Sequence, residues 1–113
     1  MSNETIFSKI LSGEIPCEEV YSDDQCLAFQ DIQPQAPVHV LIIPRKTIKS
    51  LNDTQEEDLD ILGHLLLVTK KVAKLTGLNE WRTVINTGEN AGQTVFHLHV
   101  HVIGGRPLKW PPG

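Results

Sequence analysis

The run His97-Leu98-His99-Val100-His101-Val102-Ile103 alternates an imidazole with an aliphatic side chain, then ends at Gly104-Gly105. Strand side chains point alternately to opposite faces, and i,i+2 residues lie roughly 6.6–6.8 Å apart along the strand. The spacing therefore predicts a strand over Phe96 to Ile103. Its Leu98, Val100 and Val102 face a core, and His97, His99 and His101 line the opposite face. A chain with such a strand must build a sheet with one apolar face covered and the other open to chemistry.

The remaining elements fit that demand. Asn3 is positioned to cap a short helix from Glu4 to Ser12, with Ile6, Phe7, Ile10 and Leu11 on one face and Gly13 at its stop. Glu19 to Tyr21 and Cys26 to Gln30 flank the polar turn Ser22-Asp23-Asp24-Gln25 and predict a hairpin. Gln33-Pro34-Gln35-Ala36-Pro37 is a rigid connector, because each proline fixes its own φ and biases its predecessor to extended geometry. Val38 to Ile43 predicts a strand closed by Pro44. Thr54 and Glu57 make a capping-box pattern for a long helix ending near Leu75, with Gly77 beyond it. Seven of the ten residues from Leu59 to Val68 are apolar and occupy more than one stripe. A helix apolar on two sides must bury both, so the second side is expected to meet another subunit. Trp81 to Asn86 predicts a strand, Thr87 to Thr94 a polar loop, and Arg106 to Gly113 an extended tail. The sum is an α+β fold of about five mostly antiparallel strands and two helices.

The 113 residues suit one domain, 1–113, without a repeat or linker. A net charge of −4 and 5% aromatic content argue against a nucleic-acid polymer as partner. They leave single phosphate groups open. Cys17 and Cys26 are not a C-x-x-C pair and are expected to be free thiols of a reducing compartment. The first residues do not read as a secretory signal, and no stretch is apolar enough to span a bilayer, so the expected location is cytoplasmic.

Four readings of the histidines compete. A three-imidazole zinc site could activate water. An unprotonated imidazole could act as a nucleophile, since neighbouring rings disfavour a second positive charge. The face could be merely polar. An engineered tag is excluded by the strand context. The loop Asn86 to Val95 shifts the balance toward phosphate. Gly88 and Gly92 let backbone N–H groups approach an anion, and Asn86, Gln93 and Thr94 can donate hydrogen bonds. The loop lacks the G-K-[ST] ending of a P-loop.

Gly92-Gln93-Thr94-Val95-Phe96-His97-Leu98-His99-Val100-His101 resembles the signature of the histidine triad family. Asp31 to His39, Leu62-Gly63-His64-Leu65 and the tail from Gly104 to Gly113 resemble its Hint branch, the nucleoside phosphoramidate hydrolases. The resemblance implies a homodimer joining two five-stranded sheets. It implies hydrolysis of the P–N bond of purine nucleoside 5′-phosphoramidates, with AMP, GMP or their amine derivatives as ligands and no metal or cofactor. His99 would attack the α-phosphorus and carry a nucleotidyl intermediate. His101 would contact a phosphate oxygen, and His97 and His39 would form a supporting relay. Asn86, Gly92, Gln93, Thr94 and Val95 would hold phosphate and leaving group. Asp31 would take the ribose hydroxyls, and Ile6, Phe7, Ile10, Phe29 and Ile32 the base. Trp110 would reach the partner's site, and His64 would be structural. Thr94 stands where serine is usual in animal members, and the turn Leu78 to Arg82 is one residue shorter than usual. The competing functions are a purine-nucleotide sensor without meaningful catalysis, a dinucleoside polyphosphate hydrolase and a zinc-dependent hydrolase.

Overall fold

A computed structural model describes residues 4–113. Its strands are β1 (Glu19–Ser22), β2 (Cys26–Gln30), β3 (Val38–Pro44), β4 (Trp81–Val84) and β5 (Val100–Gly104). They form one antiparallel sheet in the order β1-β2-β3-β5-β4. The helices are α1 (Ile6–Leu11) and α2 (Leu59–Leu75).

The central strands are buried on both faces, which explains why Val38-His39-Val40-Leu41-Ile42-Ile43 is almost continuously apolar. Alternation sorts their side chains into two cores. Cys26, Ala28, Val40, Ile42, Val100 and Val102 pack with Leu65, Val68 and Val72 of α2. Leu27, Phe29, Leu41 and Ile43 pack on the other face against Phe7 of α1. Leu98 joins the α2 core, so the aliphatic members of the histidine run lie where alternation puts them.

Several boundaries differ from the sequence expectation. The expected cap Asn3 lies outside the described residues. Helix α1 starts at Ile6, with Thr5 as its cap and Ser8 completing a capping box. Thr54 does not cap α2. Its hydroxyl donates to the Leu51 carbonyl, and the box forms one residue later, between Gln55 and Asp58, because a 3₁₀ turn precedes the helix. Strand β4 ends at Val84, short of Asn86.

The main correction concerns the histidine run. Strand β5 begins at Val100, so His97 and His99 precede it. The register pairs Ile42 with Val100. Continuing that ladder brings Pro44, which has no N–H, into the pairing region. Instead the Pro44 carbonyl accepts from His97 Nε2 at 2.8 Å, and the Leu98 N–H turns to the Ile48 carbonyl at 2.7 Å.

His64, on α2, holds the hairpin turn. Its Nε2 lies 2.7 Å from Asp23 Oδ2. Asp23 also accepts from Tyr21 Oη and the Gln25 and Cys26 N–H groups, each at 2.8 Å. Burial opposes ionisation of this carboxyl, but those hydrogen bonds outweigh it and hold the group well below the usual carboxylate range.

Candidate active site

The β2–β3 connector, the chain before β5 and helix α1 enclose one cleft of about 620 Å³. The sheet supplies Phe29, His39 and His101. Ile6, Phe7 and Ile10 come from α1, and Asp31 and Ile32 from the connector. Thr94, Val95 and His99 complete the wall. At the mouth, Ile6 and Ile32 are 44% and 89% exposed, giving an apolar rim open to a flat ligand.

Three imidazoles, His39, His99 and His101, line this cleft, and His97 lies buried outside its lining. His99 Nδ1 lies 2.7 Å from its neighbour His97's carbonyl. A carbonyl only accepts, so the ring proton sits on Nδ1 and the Nε2 lone pair is free. His39 Nε2 and His101 Nδ1 are 2.9 Å apart, and the Gln35 N–H donates to His39 Nδ1 at 2.9 Å. The contact arises from register. His101 stands opposite Leu41, and His39, two residues from Leu41, is its same-face diagonal neighbour.

His97 is not part of that chain. It is buried outside the cleft lining and bonded to the Pro44 carbonyl, whereas His39 is bonded to His101 and the Gln35 N–H. Phe7 meets the His99 ring edge-to-face at a centroid distance of 5.0 Å, and Phe29 at 5.6 Å. It therefore braces the nucleophile candidate as well as lining the cleft.

Burial pulls all four histidines below the ordinary imidazole range. His101 falls to about 4, first through burial and then through His99 and His39, with Asp31 opposing. The rings are neutral near pH 7, the state a nucleophile requires.

The loop residues divide. Thr94 and Val95 line the cleft. Gln93 is buried and faces inward, accepting from the Gly88 N–H and donating to the Lys49 and Val95 carbonyls. Asn86 lines a separate cavity of about 410 Å³ with Gln35, Arg82 and Arg106. A Cβ on Gly92 would lie 3.5 Å from the Asn86 amide. Trp110 is 81% exposed and lies outside the cleft. Sequence reasoning missed Ile15, Pro16, Cys17 and Glu18, which complete one wall. Their segment carries no periodic pattern to mark it.

Among the described residues, two groups bring three possible metal ligands together: Asp31, His39 and His101, and Asp23, Cys26 and His64. In the second, the carboxylate is already saturated by the hairpin bonds, and burial and Asp23 push the Cys26 thiol up to about 12. Both cysteines are free.

The sequence pattern of the family described as HIT domain matches residues 12–108. The chain is 57% identical, over the whole of both chains, to an uncharacterized HIT-like protein of Synechococcus elongatus. Its structure is similar to that of a HIT family hydrolase from Legionella pneumophila, with TM-score 0.94 and 46% identity, covering 97% of this chain and 100% of that one. A histidine triad protein from Clostridium difficile aligns with TM-score 0.91 and 41% identity over 96% of each chain.

Proposed function

The chain belongs to the HIT domain family, and from that premise we propose that it hydrolyses the P–N bond of purine nucleoside 5′-phosphoramidates, such as AMP joined to an amine. One observation carries the reading. His99 Nδ1 is committed to the His97 carbonyl, and burial favours the neutral ring, which leaves Nε2 as a bare lone pair beside an open cleft.

His99 Nε2 attacks the α-phosphorus, and a P–N(imidazole) bond forms as the P–N(amine) bond breaks. The amine departs with a proton from solvent. Water then attacks the same phosphorus, expels His99 and returns a proton to solvent, leaving the nucleoside monophosphate. The imidazolium formed in the first step is stabilised by the His97 carbonyl at 2.7 Å. Thr94 and Val95 flank the phosphate, Asp31 faces the ribose, and the apolar rim at Ile6 and Ile32 takes the base.

The same reading includes a cytoplasmic homodimer. Leu66 and Leu67 on α2 are 50% and 65% exposed, an apolar second stripe that a partner would cover. Among the described residues, no helix is long and apolar enough to cross a membrane.

The test is turnover of a fluorogenic AMP-amine. His99→Ala is expected to lower kcat by at least about 10³-fold while AMP still binds. Rapid quench of the native protein is expected to trap a nucleotidyl adduct. Undiminished activity in His99→Ala refutes the mechanism. Activity lost to a chelator and restored by zinc supports a metal hydrolase instead. A preference for diadenosine polyphosphates over AMP-amines removes the P–N assignment.

A further inference from the structure

A neutral imidazole has one ring N–H and one lone pair, and its fixed partners decide which nitrogen carries which. Two backbone groups at this site have roles that cannot change: a peptide N–H only donates, and a peptide carbonyl only accepts. The Gln35 N–H points at His39 Nδ1 at 2.9 Å. Nδ1 must therefore hold the lone pair, and the His39 proton sits on Nε2. That nitrogen lies 2.9 Å from His101 Nδ1. It donates, His101 Nδ1 accepts, and the His101 proton is placed on Nε2. His101 Nε2 is buried and has no partner among the described residues, and the ring lines the cleft.

We infer that the backbone N–H of Gln35 sets the tautomer of the His39–His101 pair, making Gln35 a positioning residue whose N–H is relayed through two rings to the His101 Nε2–H. His99, whose ring centroid is 5.0 Å from that of His101, is set the opposite way by the His97 carbonyl. Two peptide groups of opposite polarity thus give adjacent imidazoles opposite work, one a bare lone pair and the other a donor.

A second consequence concerns metals. Asp31 Oδ2 is 3.4 Å from His39 Nε2, and with His101 the three residues resemble the donor set of a zinc site. A metal would need the lone pair of His39 Nε2. Moving the proton to Nδ1 would set it against the Gln35 N–H. The cluster is thus a hydrogen-bond chain and does not fit a metal. The connector that aims the N–H is held from behind, since Arg106 Nη2 donates to the Gln35 carbonyl at 2.8 Å.

The use of the His101 N–H on a phosphoryl oxygen rests on the phosphoramidate reading, but the tautomers do not. They are read by ¹⁵N NMR of the histidine-labelled, nucleotide-free protein at pH 7.5, with signals assigned through single His→Gln variants. His39 and His101 are expected to show a pyrrole-type Nε2 and a pyridine-type Nδ1, and His99 the reverse. A protonated Nδ1 on neutral His39 or His101 overturns the inference whatever the activity. Gln35→Ala keeps the N–H and should keep the spectrum. Gln35→Pro removes it and should give mixed tautomers, with Zn²⁺ bound at least tenfold more tightly than by Gln35→Ala in calorimetric titration. A folded Gln35→Pro with the native tautomers and unchanged zinc affinity also overturns it. The expected tautomers in a protein without AMP-amine turnover would remove only the phosphoramidate reading.

Discussion

Replacing Gly105 with alanine tests how the tail is joined to the site. Gly105 follows β5 at φ +96°, and an added Cβ would lie 2.9 Å from Pro37 Cβ. Two costs follow. A side chain at positive φ costs about 1–2 kcal/mol. Forcing a methyl against a proline ring, which cannot rotate away, costs about 1–3 kcal/mol. Together they predict a loss of about 2–5 kcal/mol, or on the order of 10–20 °C in Tm for a domain of this size. Gly13→Ala isolates the first cost, since Gly13 also has positive φ, +83°, but nothing lies within 4 Å of its added Cβ. The assay is urea unfolding of both variants and the native protein at one protein concentration, compared at equal m. Gly105→Ala should be the less stable variant by the Pro37 term. Equal losses would refute the reasoning, because the close approach to the connector would then contribute nothing.

Acid should weaken the fold through the buried histidines. Their folded pKa values lie below the ordinary 6.5, at about 4 for His101, so the unfolded chain binds more protons between those values. Stability is therefore greatest above pH 6.5 and falls as pH drops toward 4, with His101 alone contributing up to about 1.4 kcal/mol per pH unit and the other three adding in the same direction; a flat urea midpoint across that window refutes this. Asp23→Asn should cost about 1–3 kcal/mol, because four donors share that carboxylate. Faster hydrogen exchange at the Gln25 and Cys26 amides would report the same loss. Leu66→Glu combined with Leu67→Glu should sediment as a monomer with unchanged circular dichroism, whereas a native protein that is monomeric at micromolar concentration refutes the dimer.

What the sequence made legible was what periodicity and turn chemistry encode locally. The two-sided apolar character of Val38 to Ile43 is visible in its residues and follows from the strand's place between two cores, whereas α2 packs one stripe on the sheet and leaves Leu66 and Leu67 exposed. The strand from Phe96 was misread because its end is decided on another strand. Pro44 withdraws an N–H from the ladder, and nothing near His97 reports that. Gln93 misled for the opposite reason. Its amide suits a phosphate, but the fold buries it, with its oxygen accepting from the Gly88 N–H and its nitrogen donating to the Lys49 and Val95 carbonyls. A polar side chain in a glycine loop announces hydrogen-bonding capacity, and the partner remains a property of the tertiary structure.

The same distinction separates the readings that spacing left open. Alternation puts three imidazoles on one side of the chain, and that arrangement serves a metal as well as a nucleophile. The choice lies in which lone pairs face the cleft, and backbone groups far apart in sequence decide that. The Pro44 carbonyl takes the His97 proton, the His97 carbonyl takes that of His99, and the Gln35 N–H occupies the lone pair of His39 Nδ1. Only His99 is left with a bare Nε2 at the cleft, while His101 is left with an N–H. One lone pair beside one donor is a poor cage for a cation. It matches a phosphorus centre, which is attacked from one side and carries negative oxygens on the others. Zinc uptake by Gln35→Pro would test that principle directly, because it removes the peptide partner and leaves both imidazoles in place. The peptide partner of an imidazole, more than its place in the motif, then decides what that imidazole does.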